Sequence, residues 1–306
     1  MSAGKADPIR DTQSSPLSGS VATAPPGLMM HKVLYIGGRV LLYVLLITIG
    51  VTMLFPLLWM LSTSLKNPGE IFILPPKWIP NPPQWSNYVK LFEVLPFELF
   101  VLNSVKIAAL ATLGALLSCS MAAFAFARMR FPGQNIIFAI VLATLMIPFH
   151  VTLIPLFALY RDLKWLGTHL PLTVPFFFGT AFGIFLMRQF YLTIPQELVD
   201  AARIDGCSFI QTYYKIFLPL SKPALATLGI FTFLGSWNNL MGPLIFLNEV
   251  ESMTITLGLT LLTTQAGGRW ELIQAGAVIS IVPIIVMFFI GQEHFIQGIA
   301  RTGLKG

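Results

Sequence analysis

The sequence predicts an all-α integral membrane protein of six transmembrane helices, and three observations carry that prediction. Mean hydropathy over the chain is +0.76. Only 10% of the residues are charged, against about 25% in a typical soluble domain. Six separate runs are apolar and long enough to cross a bilayer core of about 30 Å, which takes roughly 20 residues of helix. A 306-residue chain this apolar cannot clothe itself in a polar skin, so its solvent is lipid. The net charge of +6 would suit nucleic acid, but no basic patch with interleaved aromatics accompanies it. Lys and Arg flank the apolar runs instead, as orienting charges do, and no nucleic-acid partner is expected.

From the N-terminus, residues 1–32 are rich in Ser, Pro, Ala and Gly and read as a disordered tail. The first long apolar run begins near Val40, too late for the core of a cleavable signal peptide, so it is retained as a first span over 39–63. A polar, Pro- and Trp-rich stretch follows over 66–96, in which Trp78, Trp85 and Tyr88 suit the headgroup level. The remaining spans are expected at 97–127, 135–156, 172–192, 224–247 and 272–295, leaving 296–306 as a tail and 33–295 as the membrane domain. Prolines at 56, 148, 155, 175, 243 and 283 fall inside spans, where neighbouring helices can satisfy the freed carbonyls. Gly179 and Gly183 form a small-residue step that admits another helix at close range. With the N-terminus inside, twelve of the 19 Lys and Arg residues lie on the inner side and seven on the outer. That bias puts both termini in the cytoplasm.

The segment 193–222, between the fourth and fifth spans, is too polar to cross lipid and too patterned for a linker. Thr193 to Gln196 has the T-x-x-Q form of a capping box, with Pro195 in the first turn. Leu198, Ala201 and Ala202 then repeat at helical spacing as one small apolar face. Gly206 stands where a left-handed C-terminal cap is wanted, and Ser208 to Gln211 repeats the box and opens a second helix. Phe209, Tyr213 and Ile216 line one side of that helix, and Pro219 ends it. The product is a helix–turn–helix at the inner face. It can either rest on the lipid surface or dock in a protein cleft. Glu197, Asp200 and Asp205 on its polar side favour the second, since a helix lying on lipid usually carries a more basic face.

Other chemistries find no support in the sequence. No G-x-x-x-x-G-K-[S/T] run is present to cradle phosphate. Cys119 and Cys207 are too few and too distant for a disulfide framework or zinc site, and His31, His150, His169 and His294 do not cluster as metal ligands. Glu293-His294 lacks the second half of a zinc-protease motif. Span interiors carry no acidic pair of the kind an ion-driven transporter needs. Intramembrane polar residues such as Ser118, Ser120, Thr227, Asn238 and Asn239 are candidates for the substrate path or for helix-to-helix bonds.

Asp200-Ala201-Ala202, three residues, Gly206, nine residues, then Ile216-x-Leu218-Pro219 resembles the EAA loop of binding-protein-dependent ABC importer permeases. Asp200 stands where that family usually has Glu. The resemblance extends to Ser62-Thr63-Ser64-Leu65-Lys66, Asn103-Ser104, Ala127-Arg128, Trp237-Asn238 with Pro243-Leu244, and the C-terminal Gly298-x4-Gly303-x-Lys305-Gly306. The last of these is similar to the tail of the six-span subunit of maltose-type, carbohydrate-uptake importers.

The resemblance implies the type I ABC importer permease fold in a bacterial cytoplasmic membrane. It also implies a second permease subunit, an ATP-binding cassette ATPase dimer and an extracytoplasmic solute-binding protein as partners. The coupling set would be Asp200, Ala201, Ala202, Asp205, Gly206, Ile216, Leu218 and Pro219. Within it, Asp200 would face a basic residue of the ATPase, the two alanines would allow close approach and Gly206 would make the turn. ATP and Mg would be held by the ATPase and no cofactor by this chain, which is then a transporter subunit and not an enzyme. The implied cargo is a sugar, with glycerol phosphate or another small solute as the alternative, and Asn238 and Asn239 would border its path.

Overall fold

The computed structural model describes residues 26–265 and 268–303, with side-chain surroundings for 35–263 and 268–290. Residues 1–25 of the expected N-terminal tail, and Lys305-Gly306 of the C-terminal motif, lie outside the described residues. The described part contains helices and turns and no strand.

Helix α1 (Pro26–Ser64) opens seven residues before the expected end of the tail, with proline at its first position, where the missing N–H costs nothing. The chain divides into two compact units at Pro56, inside this helix. In the first unit every described residue from Tyr35 to Pro56 is exposed, including Leu41, Tyr43, Ile47 and Met53. Its hydroxyls turn inward to the helix: Thr48 Oγ1 donates to Val44 O and Thr52 Oγ1 to Thr48 O, both at 2.8 Å. An exposed apolar rod with self-satisfied polar groups is built for lipid.

The second unit contains α2 (Ser86–Val94), α3 (Phe97–Arg128), α4 (Gln134–Ala143), α5 (Phe149–Asp162), α6 (Leu170–Thr173), α7 (Ala181–Leu192), α8 (Gln196–Ile204), α9 (Phe209–Thr212), α10 (Leu218–Leu220), α11 (Lys222–Trp237), α12 (Met241–Phe246), α13 (Ile255–Gln265) and α14 (Trp270–Gly303). Four stretches are long and apolar enough to cross a membrane: Tyr35–Ser64, Phe97–Arg128, Leu170–Leu192 and Trp270–Ile290. Two bent pairs bring the number to six if each counts as one span: Gln134–Met146 with Phe149–Asp162 at 101°, and Phe209–Leu220 with Lys222–Trp237 at 78°.

The spans expected at 135–156, 172–192 and 224–247 are each interrupted. The third breaks at Ile147, extended at ψ 114° ahead of Pro148, because a proline ring disfavours the helical region in the residue before it. The fourth passes through a tight turn of helix over 174–178 and Gly179 at φ +87° before Thr180 caps α7 by accepting from Gly183 N at 3.2 Å. The fifth stops at Trp237, and Asn238 to Leu240 separate it from α12. Helix α14 continues through 296–303, beyond the expected end of the sixth span.

Helix α3 is the central column, packed against α7, α11, α6 and the 174–178 turn. One core cluster gathers Ala115, Cys119 and Phe124 of α3, Met187 and Tyr191 of α7, Phe217, and Leu228 of α11. A second joins Leu91, Phe97, Phe100, Trp237, Leu262 and Leu272. The expected close approach at Gly183 is present: a Cβ there would lie 2.6 Å from Cys119 Sγ and 3.1 Å from Leu228 Cδ1. Contacts that tight require glycine.

Candidate functional site

The segment 193–222 forms a two-helix hairpin, though its entry differs from the predicted capping box. Helix α8 starts at Gln196 with Pro195 as its cap residue. Thr193 closes α7 instead, its Oγ1 donating to Phe190 O at 2.7 Å. The reason is local: with Ile194 N bonded to Tyr191 O at 3.2 Å, the chain is still completing the α7 turn at Thr193. Glu197 lies in the first turn of α8 and Arg203 in the last, each complementing the helix dipole.

The expected small face is divided. Val199 is 2% exposed and Ala202 4%, both turned into the protein, while Leu198, Ala201 and Ile204 face outward, Ile204 at 87%. Successive helical residues are about 100° apart, so the adjacent alanines serve different surfaces. Ala202 belongs to the foundation of the hairpin, and Ala201 to its free surface with Asp200, Asp205 and Gly206.

The turn is as predicted. Gly206 has φ +77°; Cys207 N donates to Ala202 O at 2.9 Å and Gly206 N to Arg203 O at 3.0 Å, the pair of bonds that defines a Schellman close. No atom lies within 4 Å of a Cβ built on Gly206, so glycine is required there by the backbone and not by space. The second capping box is also present: Gln211 N donates to Ser208 Oγ at 3.3 Å, and Ser208 N to Gln211 Oε1 at 2.8 Å. Arg203 bridges the two helices, its guanidinium 5.3 Å from the Phe209 ring centre.

Pro219 does not end the second helix outright. The chain widens into a π turn over Tyr213–Phe217, Leu218 N reaching back to Tyr213 O, and α10 follows before the 78° bend into α11. In an ordinary helix the Pro219 ring would press on the carbonyl four residues earlier and could not bond it; a π turn relieves such a site. Tyr213 and Ile216 pack on the first core cluster, Leu218 is half-buried, and Phe209 and Pro219 are exposed.

Both limbs are tied to α3. Arg128, its last residue, donates through Nη2 to Tyr191 O at 2.6 Å and to Ile194 O, and through Nη1 to Gln196 Oε1 at 2.8 Å. Gln196 Nε2 donates in turn to Asp200 Oδ1 at 3.2 Å. Tyr213 Oη and Ser120 Oγ, one on the second limb and one on α3, share a hydrogen bond of 2.7 Å. Sequence reading placed Arg128 in a motif but gave it no task, since its three acceptors lie more than sixty residues away in the chain.

The polar candidates inside the membrane separate by use. Ser118 donates to Gly114 O and Phe176 O, and Thr227 to Pro223 O, which are structural bonds. Asn239 Oδ1 accepts from Gly242 N at 3.1 Å, a bond at the entry to α12, while Asn238 is exposed in the same break. A cavity of about 160 Å³ lies beside α11, lined by Phe176, Thr180, Phe182, Phe231, Thr232 and Ser236 among others. Of these, Thr232 and Ser236 were not singled out from sequence, although their four-residue spacing places them on one helix face. Among the described residues no three His, Cys, Asp or Glu side chains gather as a metal site.

Residues 114–301 match the family of binding-protein-dependent transport system inner membrane components, and this chain belongs to that family. It is thus a multi-pass membrane subunit of a transport system and not an enzyme. Among its relatives, the arabinooligosaccharides transport system permease protein AraQ of Halalkalibacterium halodurans is 36% identical over 273 residues, covering 85% of this chain and 96% of the relative. The sulfoquinovosyl glycerol transport system permease protein SmoH of Agrobacterium fabrum is 32% identical over 288 residues, covering 94% and 99%. The sn-glycerol-3-phosphate transport system permease protein UgpE of Yersinia pestis is 30% identical over 267 residues, covering 84% and 95%. A chain in the crystal structure of a bacterial ABC transporter involved in the import of the acidic polysaccharide alginate shares the fold, with a TM-score of 0.75 at 23% identity, covering 86% of this chain and 97% of that one.

Proposed function

We propose that this chain is the permease subunit of an ATP-driven carbohydrate importer, forming half of the translocation pathway and coupled to a cytoplasmic ATPase through the 193–222 hairpin. The observation that carries the reading is the hairpin itself. It is braced from below by Val199, Ala202 and Arg128, closed by Gly206, and leaves Asp200, Ala201, Ile204 and Asp205 exposed among the described residues. A small, rigid surface mixing acid and apolar groups suits a groove in a partner protein.

In this reading both termini and the hairpin are cytoplasmic, residues 33–295 are the permease domain, and ATP and Mg are held by an ATPase dimer. A second permease completes the pathway, and a solute-binding protein delivers cargo to the outer face, where segment 66–96 lies. Closure of the ATPase dimer moves the hairpin, and the spans rock from inward-facing to outward-facing, a two-state equilibrium biased from a remote site. The relatives named for arabinooligosaccharides and sulfoquinovosyl glycerol favour carbohydrate; the sn-glycerol-3-phosphate relative supports the alternative cargo. The cavity beside α11 is lined mainly by aromatic rings with the hydroxyls of Thr180, Thr232 and Ser236, a chemistry compatible with sugars, and Asn238 and Asn239 are assigned to the cargo path as the polar side chains at the break after α11.

The test is Gly206→Pro in the reconstituted complex. Proline fixes φ near −65°, whereas this position needs +77°. Membrane insertion should persist while uptake is lost and ATP hydrolysis continues. Normal uptake would remove the coupling role.

A further inference from the structure

The inner end of α3 holds a fork with no assigned purpose. The Arg128 guanidinium reaches two backbone carbonyls, Tyr191 and Ile194, and one side chain, Gln196, while lying 5.2 Å from the centre of the Phe217 ring. These partners are the end of α7, the turn into α8, the first residue of α8 and the π turn of the second limb. Carbonyls at a helix end have no partner within the helix and carry its negative pole, so a cation there is favoured. The planar guanidinium fits several acceptors at once, which a lysine ammonium cannot reproduce.

The fork also has a direction. Through Gln196 it extends to Asp200 on the exposed face of α8, and through α3 it extends away from the hairpin. At 32 residues and about 1.5 Å rise per residue, α3 spans roughly 48 Å. At its far end Asn103 Nδ2 donates to Glu251 O at 2.7 Å and Met253 O at 3.0 Å, and Ser104 Oγ accepts from Ile255 N at 2.7 Å. One continuous helix is thus bonded to the hairpin at one end and to the loop before α13 at the other.

We propose that Arg128 is a positioning residue for energy coupling: it fixes the orientation in which α8 presents Asp200 and Ala201 to the ATPase, and it passes the displacement of α8 to α3. This rests on the coupling role given to the hairpin above. A residue that only filled space would affect transport and hydrolysis together. A residue that transmits motion sets how much ATP is spent per solute moved.

The experiment measures uptake and ATP hydrolysis side by side in proteoliposomes containing the whole complex, for Arg128→Gln and Arg128→Lys, with Gly206→Pro as reference. Arg128→Gln should raise the ATP hydrolysed per solute by about tenfold, within the usual range of coupling between sites. Arg128→Lys keeps the charge, loses the fork and should raise the ratio by a smaller factor. Should the Gln variant fail to assemble, the Lys variant decides by the same ratio. An unchanged ratio in an assembled Arg128 variant, with Gly206→Pro uncoupled, overturns the role of Arg128 alone. An unchanged ratio in all three overturns the coupling reading with it.

Discussion

Among single residues, two glycines show two separate demands. Gly206 is needed for its left-handed backbone, since space around it is open. Alanine there should cost about 1–2 kcal/mol and asparagine less, because its short polar side chain tolerates that region. Thermal unfolding of the purified complex should therefore rank Gly206 above Gly206→Asn above Gly206→Ala; a reversed order would show that the turn is not held left-handed. Gly183 is needed for the closeness of Cys119 and Leu228. Gly183→Val should lower stability by about 1–3 kcal/mol, as overpacking does, and a Tm unchanged in detergent would contradict the α3–α7–α11 contact. The first glycine was legible in the sequence because it follows a helical repeat and precedes a capping box. The second was legible only as a small residue, since a sequence does not say which helix approaches it.

For the elements, the bends decide what was readable. Hydropathy marks where apolar runs begin and end, and Phe97–Arg128 is continuous as predicted. It does not mark the breaks at Ile147, Gly179 and Asn238, because a broken span stays apolar. Nor does it find α13, whose 11 residues are too few to span. In the hairpin, spacing identified the helices, yet the orientation of α8 depends on what lies beneath it. Ala201 and Ala202 differ only in that respect, and they provide a test. In a Cys207→Ser background, a cysteine at 201 should react readily with a water-soluble maleimide in the isolated subunit, and one at 202 should be protected. Equal labelling would mean that α8 is rotated from the orientation described.

The segment 66–96 before α3 is stitched by side chains as well. Asn87 Nδ2 donates to the carbonyls of Ser64 and Lys66, both at 2.9 Å, and the buried Lys66 ammonium lies 3.9 Å from the centre of the Trp59 ring. This explains why Ser64-Leu65-Lys66 reads as a signature: it anchors the segment to the end of α1. Lys77 Nζ meets Glu70 Oε1 at 2.6 Å, and that hydrogen bond holds the Glu70 carboxyl below its ordinary value of 4.5. Because the folded value is the lower one, the contribution is complete above the ordinary value and disappears as pH falls through the lowered one. Protease protection of this segment should thus persist down to pH 4.5 and weaken below it. Lys77→Ala should lower the protection above pH 4.5 and flatten its decline below that value, since a carboxyl with its ordinary value in both states contributes no pH dependence; an identical pH profile would remove the ion pair from the account.

At the scale of the molecule, the apolar surface and the helical backbone of the described residues answer the same constraint, that lipid offers no hydrogen bonds. Several polar side chains inside the membrane accordingly find their partners within the protein. Ser118 bonds its own helix and Phe176 O, Ser120 meets Tyr213, and Thr256 Oγ1 donates to Trp237 O at 2.9 Å. Composition was enough to predict this class of molecule, and the Asp200–Pro219 pattern was enough to predict the hairpin. The pattern did not predict that α3 would hold both limbs, because those bonds join residues 63, 66, 68 and 93 positions apart in the chain.

The central claim is that the hairpin is the contact through which a separate ATP-hydrolysing subunit drives these spans. The most direct measurement is cross-linking in the intact complex, purified in mild detergent from cells making the chain with cysteine at 201 and serine at 207. A short bifunctional thiol reagent should join this chain to the ATPase subunit in high yield, and the yield should change when ATP is bound. Absence of any such product from position 201, and equally from Ile204→Cys, would contradict the account.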